Sequence, residues 1–258
     1  MNKGNAMVLT FLRRACAVAS CTLFATQIEA AEKLISTNLD TRTVLAFRVP
    51  NEAVRKILPA GWELDAAPDG PNLRIVFANN LLVQDAEGKA SENLRVVTLT
   101  AQAKKSGTDE KAGMALGGFV SATAAVPGPY FNYSAASAVF SQRVDVDGAG
   151  KSIIEETWEF KGDGGNALDL RIQFERGLLV RVKANTKTYS SSRPDFFRIY
   201  RLEQAVDVIN ASSGRNRIVQ MALKAEGPLF GSILDGSEQL VSVTSIPYYA
   251  RQIYLPEP

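Results

Sequence analysis

Histidine is missing from all 258 residues. That removes a Ser-His-Asp triad, a Cys-His dyad, a histidine general base and any histidine-held metal. Cysteine is nearly missing. The only two, Cys16 and Cys21, stand close to the N-terminus. Beyond them there is no disulfide to form and no structural zinc site to build, so the fold rests on its core. An excess of one charge sign is missing as well. Lys and Arg total 29 against 27 Asp and Glu, which leaves no basic footprint for nucleic acid. What is present is ordinary for a folded chain. The sequence is 46% hydrophobic and 22% charged, enough for a sizeable core.

Residues 1–30 read as an export signal. Lys3, Arg13 and Arg14 form a positive start, and Ala15 to Ala25 is an apolar run of suitable length. Ile28-Glu29-Ala30 suits a cleavage site, which predicts a mature start at Ala31. The expected location is periplasmic or secreted. Val18-Ala19-Ser20-Cys21 loosely matches a lipobox, which offers lipid anchoring at Cys21 as a variant.

Residues 31–258 show no repeat and no long linker and are taken as one domain. Val44 to Val49 is strand-like, and Asn51 can cap a short helix from Glu52 to Leu58. Leu73 to Phe77 and Leu94 to Ala103 read as strands, with a charged hairpin loop over 104–113. Met114 to Val126 is small and apolar, and its periodicity fits a strand pair or a buried helix equally. Further strands are expected at 137–146, 152–160, 168–174, 178–188, 196–200, 217–225 and 242–254. Leu168, Leu170, Ile172 and Phe174 alternate with Asp169, Arg171, Gln173 and Glu175, as in a half-buried strand. Asp163-Gly164-Gly165-Asn166 reads as a hairpin turn. A short helix is expected within 228–240. The sum is a β-rich α+β chain arranged as a barrel or cone with a few short helices.

Several segments carry a family resemblance. VLAFRVPNEAVRKILPAGWEL (44–64), PGPYFNYSAASAVFSQRVDVDG (127–148), PDFFRIYRLEQAVDVINA (194–211), RIVQMALKAEGPLFG (217–231) and PYYARQIYLPE (247–257) follow one another in a familiar order. In order and spacing the chain resembles the acetoacetate decarboxylase superfamily. The resemblance implies a cone-shaped β-barrel with an internal small-molecule pocket, no cofactor, and often a homo-oligomer. It also implies a chemistry: a lysine forms a Schiff base with a β-oxo acid, and a neighbouring lysine lowers its pKa. Here the chain departs from the pattern. Ala135 and Ala136 fall at or near the lysine positions, and Val76 stands where the family has a pocket glutamate.

Several side chains carry chemistry that a site could use. Lys104-Lys105 is the only tandem lysine, a weak candidate for a displaced Schiff-base pair. The surrounding charges favour a solvated loop, and adjacent strand residues point to opposite faces. Lys183, Lys187 and Lys224 lie in alternating strands, where a buried one would become nucleophilic. Tyr130, Asn132, Tyr133 and Ser134 stand where the resemblance places a pocket wall and could orient an oxygen-bearing ligand. Arg42, Arg48 and Arg74 could hold a carboxylate bidentately, with Arg48 and Arg74 in strands of mixed polarity. Glu92 could be a pocket acid. Glu155, Glu156 and Glu159 read as a solvated acidic face. No metal-ligating set is visible.

Three functions remain open on the sequence. The first is an exported protein that binds a small oxygenated or carboxylated molecule, such as an oxo acid, without Schiff-base chemistry. The second is a cofactor-free carbon-carbon lyase acting on a β-oxo acid through a displaced lysine. The third is a structural or interaction protein of the cell envelope. Fold resemblance alone does not decide among them.

Overall fold

The computed structural model describes residues 31–211 and 214–257. The export signal expected over residues 1–30, with Cys16 and Cys21, lies outside the described residues.

The chain begins with β1 (Glu32–Arg48), a short helix α1 (Asn51–Arg55) and β2 (Trp62–Leu64). β3 (Leu73–Asp85), β4 (Arg95–Lys105) and β5 (Lys111–Val120) follow. Next come β6 (Tyr133–Val146), β7 (Ser152–Gly162) and β8 (Ala167–Glu175). The last are β9 (Val180–Ser190), β10 (Phe197–Ala211), β11 (Arg215–Asn216), β12 (Ile218–Glu226) and β13 (Gln239–Pro256). The β-rich α+β class expected from the sequence is what is observed.

Seven strands close on themselves in the order β5-β9-β10-β13-β1-β3-β4 and back to β5. A closed ring leaves no open edge around its circumference. β5 is the branch point. Its N-terminal half pairs in parallel with β9 at Gly113–Ala115, and its C-terminal half with β6 at Gly118–Val120. From β6 a second sheet runs on through β7 and β8 to β12.

The main core fills the space between the ring's outer face and this second sheet. Phe77 of β3 packs on Trp158 of β7 with ring centroids 5.6 Å apart, and Phe119 of β5 on Phe160 at 6.4 Å. Trp158 also stacks on Phe140 of β6 at 4.0 Å. Leu168, Leu170, Ile172 and Phe174 of β8 are fully buried here, while Arg171 on the opposite face is exposed. Removing a side chain like Trp158 costs about 3–5 kcal/mol.

Where a ring strand passes under the second sheet, one face meets the core and the other the ring interior, which shapes its sequence. In β4, Val97, Leu99, Ala101 and Ala103 enter the core. The alternate residues Val96, Thr98, Thr100 and Gln102 face the ring interior. β5 shows why its periodicity is unreadable. A bulge opposite Leu99 and Thr100 shifts the alternation at Leu116, so that Ala112, Met114, Leu116 and Phe119 all reach the core. An even-then-odd pattern matches neither a helix nor a strand template. As far as Val120 the segment is a single strand, and beyond it Thr123–Ala125 forms one 3-10 turn.

Three expectations are corrected. Asn51 does not cap α1 but is its first residue, and its side-chain oxygen accepts from Asn72 Nδ2 at 2.8 Å. Asn72 also bridges Val49 in both directions, which fixes the chain where it leaves β1. The helix expected within 228–240 is reduced to one turn over Gly227–Gly231. Glu156 is buried, not solvated. Its carboxylate accepts from Thr43 Oγ1, from Gln142 Nε2 at 2.8 Å and from Trp158 Nε1 at 3.2 Å. Glu155 does face solvent, and Glu159 reaches Arg171 at 3.6 Å.

Candidate functional site

The ring interior holds a cavity of about 470 Å³. It is lined from β1, β3, β4, β10 and β13, and from the 121–132 segment that links β5 to β6. A volume of this size suits a small organic ligand.

Charge enters the cavity from three arginines. Asp40 of β1, with no exposed surface, pairs with Arg42 at 2.6 Å and with Arg251 of β13 at 3.5 Å. It also accepts from Asn80 Nδ2 of β3 at 2.5 Å. The Arg42 guanidinium lies 3.5 Å over the Tyr249 ring, a cation–π contact that holds it flat against the wall. Burial works against the Arg251 charge, but the Asp40 carboxylate and the nearby phenols outweigh it and raise its pKa above the ordinary arginine value. Arg198 of β10 is the third, and among the described residues it makes no ion pair. Nε of Arg198 and Nε of Arg251 are both buried without a hydrogen-bond partner. Oδ1 of Asn38, also buried on this wall, has none either.

The balance is therefore positive. Three guanidiniums face one buried carboxylate, and among the described residues the one acidic residue on the lining itself is Glu92, which is exposed. Buried donors without partners cost free energy until an acceptor arrives. A carboxylate supplies such acceptors in charge-assisted bonds.

Tyrosines frame the arginines. Tyr130 and Tyr200 share a hydrogen bond through their hydroxyls, and Tyr133 Oη lies 2.7 Å from Thr98 Oγ1. Burial, reinforced by the neighbouring Tyr200, raises the Tyr130 pKa well above the phenol range. Burial raises Tyr133 too, although its bond to Thr98 pulls the other way. Both stay protonated and offer hydrogen bonds rather than basicity. The 121–132 segment is pinned beside them. Asn132 Nδ2 donates to Ala115 O at 2.8 Å and to Ser191 Oγ at 3.1 Å. Phe131 sits at φ 60, a conformation that a bulky residue rarely adopts. It is held there by Phe196 edge-on at 4.8 Å and by the Arg193 guanidinium at 3.6 Å.

The residues singled out in the sequence fall in different places. Tyr130, Tyr133, Arg42, Glu92 and Val76 line the cavity. Asn132 braces the wall from behind, and Ser134 is exposed off the lining. Arg48 lies outside the lining and meets Asp69 at 3.2 Å. Arg74 also lies off the lining, its pKa lowered by burial. Lys104 and Lys105 end β4 instead of opening a loop. Lys104 reaches Asp109 at 3.3 Å, and Lys105 lies opposite Trp62 in the register. Lys183 and Lys224 are exposed and paired with Glu203 and Glu226, and Lys187 is exposed beside Phe197. Ala136 is packed in the core, and Ala135 lies off the lining. Among the described residues no lysine lines the cavity.

Sequence reasoning missed Asp40, Arg198 and Arg251. One signal was available: in Tyr249-Ala-Arg251-Gln-Ile253 the alternate residues are aromatic, cationic and aliphatic, and all three point into the ring.

Solved structures share this architecture. The enduracididine biosynthesis enzyme MppR with HEPES buffer bound superposes with a TM-score of 0.54 at 11% identity, covering 86% of this chain and 85% of that one. MppR complexed with pyruvate gives 0.52 at 12%, over 86% and 88%. An acetoacetate decarboxylase-like enzyme from Sphingomonas wittichii RW1 gives 0.53 at 9%, over 93% and 100%. The chain has the acetoacetate decarboxylase-like fold. At these identities the likeness speaks for the fold. No family model matches the chain, and no curated relative does.

Proposed function

We propose that this chain is an exported protein that binds a small carboxylated organic molecule in the ring cavity, without Schiff-base decarboxylase chemistry. The observation that carries the reading is the arginine cluster. Arg42, Arg198 and Arg251 outnumber Asp40 in a cavity that no lysine lines among the described residues. A Schiff base needs an amine within reach of the ligand carbonyl. Lys104 and Lys105 stand at a strand end, and Lys183, Lys187 and Lys224 on exposed faces. MppR, of the same fold, has been solved complexed with pyruvate, which supports an organic acid as the ligand class. Export rests on the character of residues 1–30.

Two measurements test this. The protein is incubated with acetoacetate and with pyruvate, reduced with borohydride and weighed intact. No adduct is expected, and a mapped lysine adduct would make the protein a Schiff-base lyase. Carboxylate binding is then measured calorimetrically for the wild type and for Arg198→Gln. Among the described residues Arg198 makes no ion pair, so its removal leaves the Asp40 network intact. Loss of a charge-assisted hydrogen bond predicts binding weaker by about tenfold or more. Unchanged binding would remove Arg198, and with it the anion site, from the reading.

A further inference from the structure

We infer that the ligand carries an apolar body of several carbons behind its anionic group, and is larger than the short oxo acids. This rests on the carboxylate reading above and specifies its substrate class.

The ring order makes the cavity two-sided. β4 is three strands from β10 by way of β5 and β9, and three strands from β13 by way of β3 and β1. The wall at β4 therefore stands across from the wall formed by β10 and β13. The β10/β13 wall presents Arg198, Tyr200 and Arg251 to the cavity. The opposite wall is mixed: Thr98, Thr100 and Gln102 of β4 are polar, and an aliphatic strip runs beside them. Ala78 of β3 pairs with Val96 of β4, and Val96 with Val120 of β5, so that three cavity-facing residues form one continuous apolar row. Val76, two residues from Ala78, extends it. The row starts beside the charge, because the register partner of Ala78 on β1 is Arg42. An anion held at the arginines has this apolar strip running away from it around the ring.

The cavity, about 470 Å³, has more room than a short oxo acid fills. One water claims about 30 Å³ of liquid, so 470 Å³ is the room of about fifteen such groups. Pyruvate or acetoacetate would fill less than half of it and leave the valine row wet. A monocarboxylate of about six to ten carbons fills the space and dries the row, each buried methylene strengthening binding by about fourfold.

The test is a chain-length and charge series on the unmodified protein, read by calorimetry with acetoacetate, octanoate and octanol. Octanoate is expected to bind at least tenfold tighter than either of the others. If acetoacetate binds as tightly as octanoate, the apolar body is wrong while the carboxylate reading stands. If octanol matches octanoate, the anionic group is wrong and the carboxylate reading falls with it. If none of the three binds, both fail. A variant localises the effect. Val96→Asn is expected to weaken octanoate tenfold or more and to shrink its advantage over acetoacetate. Equal octanoate binding by the wild type and by a folded Val96→Asn protein would overturn the assignment of the row.

Discussion

The Asp40 carboxylate holds Arg42 at 2.6 Å and Arg251 at 3.5 Å from a position with no exposed surface. One anion thus organises two cations from neighbouring strands, since β1 and β13 pair along nearly their whole length. The arrangement serves the fold and the site at once. It closes the ring electrostatically, and it leaves a surplus of positive charge for a ligand.

Replacing Asp40 separates these two roles. Asp40→Asn keeps the shape and removes the charge. Breaking a buried ion pair from one side costs about 3–5 kcal/mol, so the melting temperature falls. The cavity meanwhile becomes more cationic, so a saturating carboxylate should raise the melting temperature more in the variant than in the wild type. Thermal melts with and without octanoate check both. Equal ligand-induced shifts would show that Asp40 is not the counter-charge of the cavity.

Alkaline pH tests the phenols. The pKa values of Tyr130, Tyr133 and Tyr189 are all raised, chiefly by burial, with the Glu110 carboxylate adding to the effect at Tyr189. A raised pKa means that the folded state holds its proton more tightly than the unfolded chain. The corresponding stability is complete below the unfolded value of about 10 and is lost as pH climbs through the folded values. Denaturation midpoints should therefore fall steeply above about pH 10. Tyr130→Phe should flatten part of that slope. An unchanged slope in Tyr130→Phe would mean that the Tyr130–Tyr200 pair contributes nothing to it.

Much of the fold could be read in the sequence, and the cavity explains most of what could not. β8 was legible because one face meets the core and the other meets water. Residues 36–42 of β1 were not, because Ser36-Thr-Asn38-Leu-Asp40-Thr-Arg42 has the polar composition of a loop. Ser36, Asn38 and Arg42 of this run line the ring cavity, and Asp40 holds Arg42 from behind. The same strand turns legible at Leu45 and Phe47, where its other face enters the core. Of the site, Tyr130 and Tyr133 were within reach through their position in the chain. The Asp40–Arg251 pairing was not, since it joins residues at opposite ends of the sequence.

Gly118 tests how closely the ring and the second sheet must meet. A Cβ built there would lie 2.2 Å from the Val97 carbonyl oxygen and 2.7 Å from the Tyr133 ring. Overpacking of this kind costs about 1–3 kcal/mol or more. Gly118→Ala should destabilise at the upper end of that range, because one obstacle is backbone. Adding Tyr133→Ala should not rescue it. Full recovery in the double variant would show that the Tyr133 ring, and not the β4 backbone, sets the glycine requirement.

Glu156 is the test of the joint between the two sheets. It accepts from Thr43 on ring strand β1, from Gln142 on β6 and from Trp158 on its own strand. Glu156→Ala strands these three donors and opens a void, at a cost of about 3 kcal/mol or more. Glu156→Gln should cost far less, below about 1 kcal/mol. Its oxygen can still serve Thr43 and Trp158, and its amide nitrogen can donate to Gln142 once the Gln142 amide rotates to present its oxygen. Urea denaturation of the two variants decides the matter. A Gln variant as unstable as the Ala variant would mean that the negative charge, not the hydrogen-bond geometry, joins the sheets.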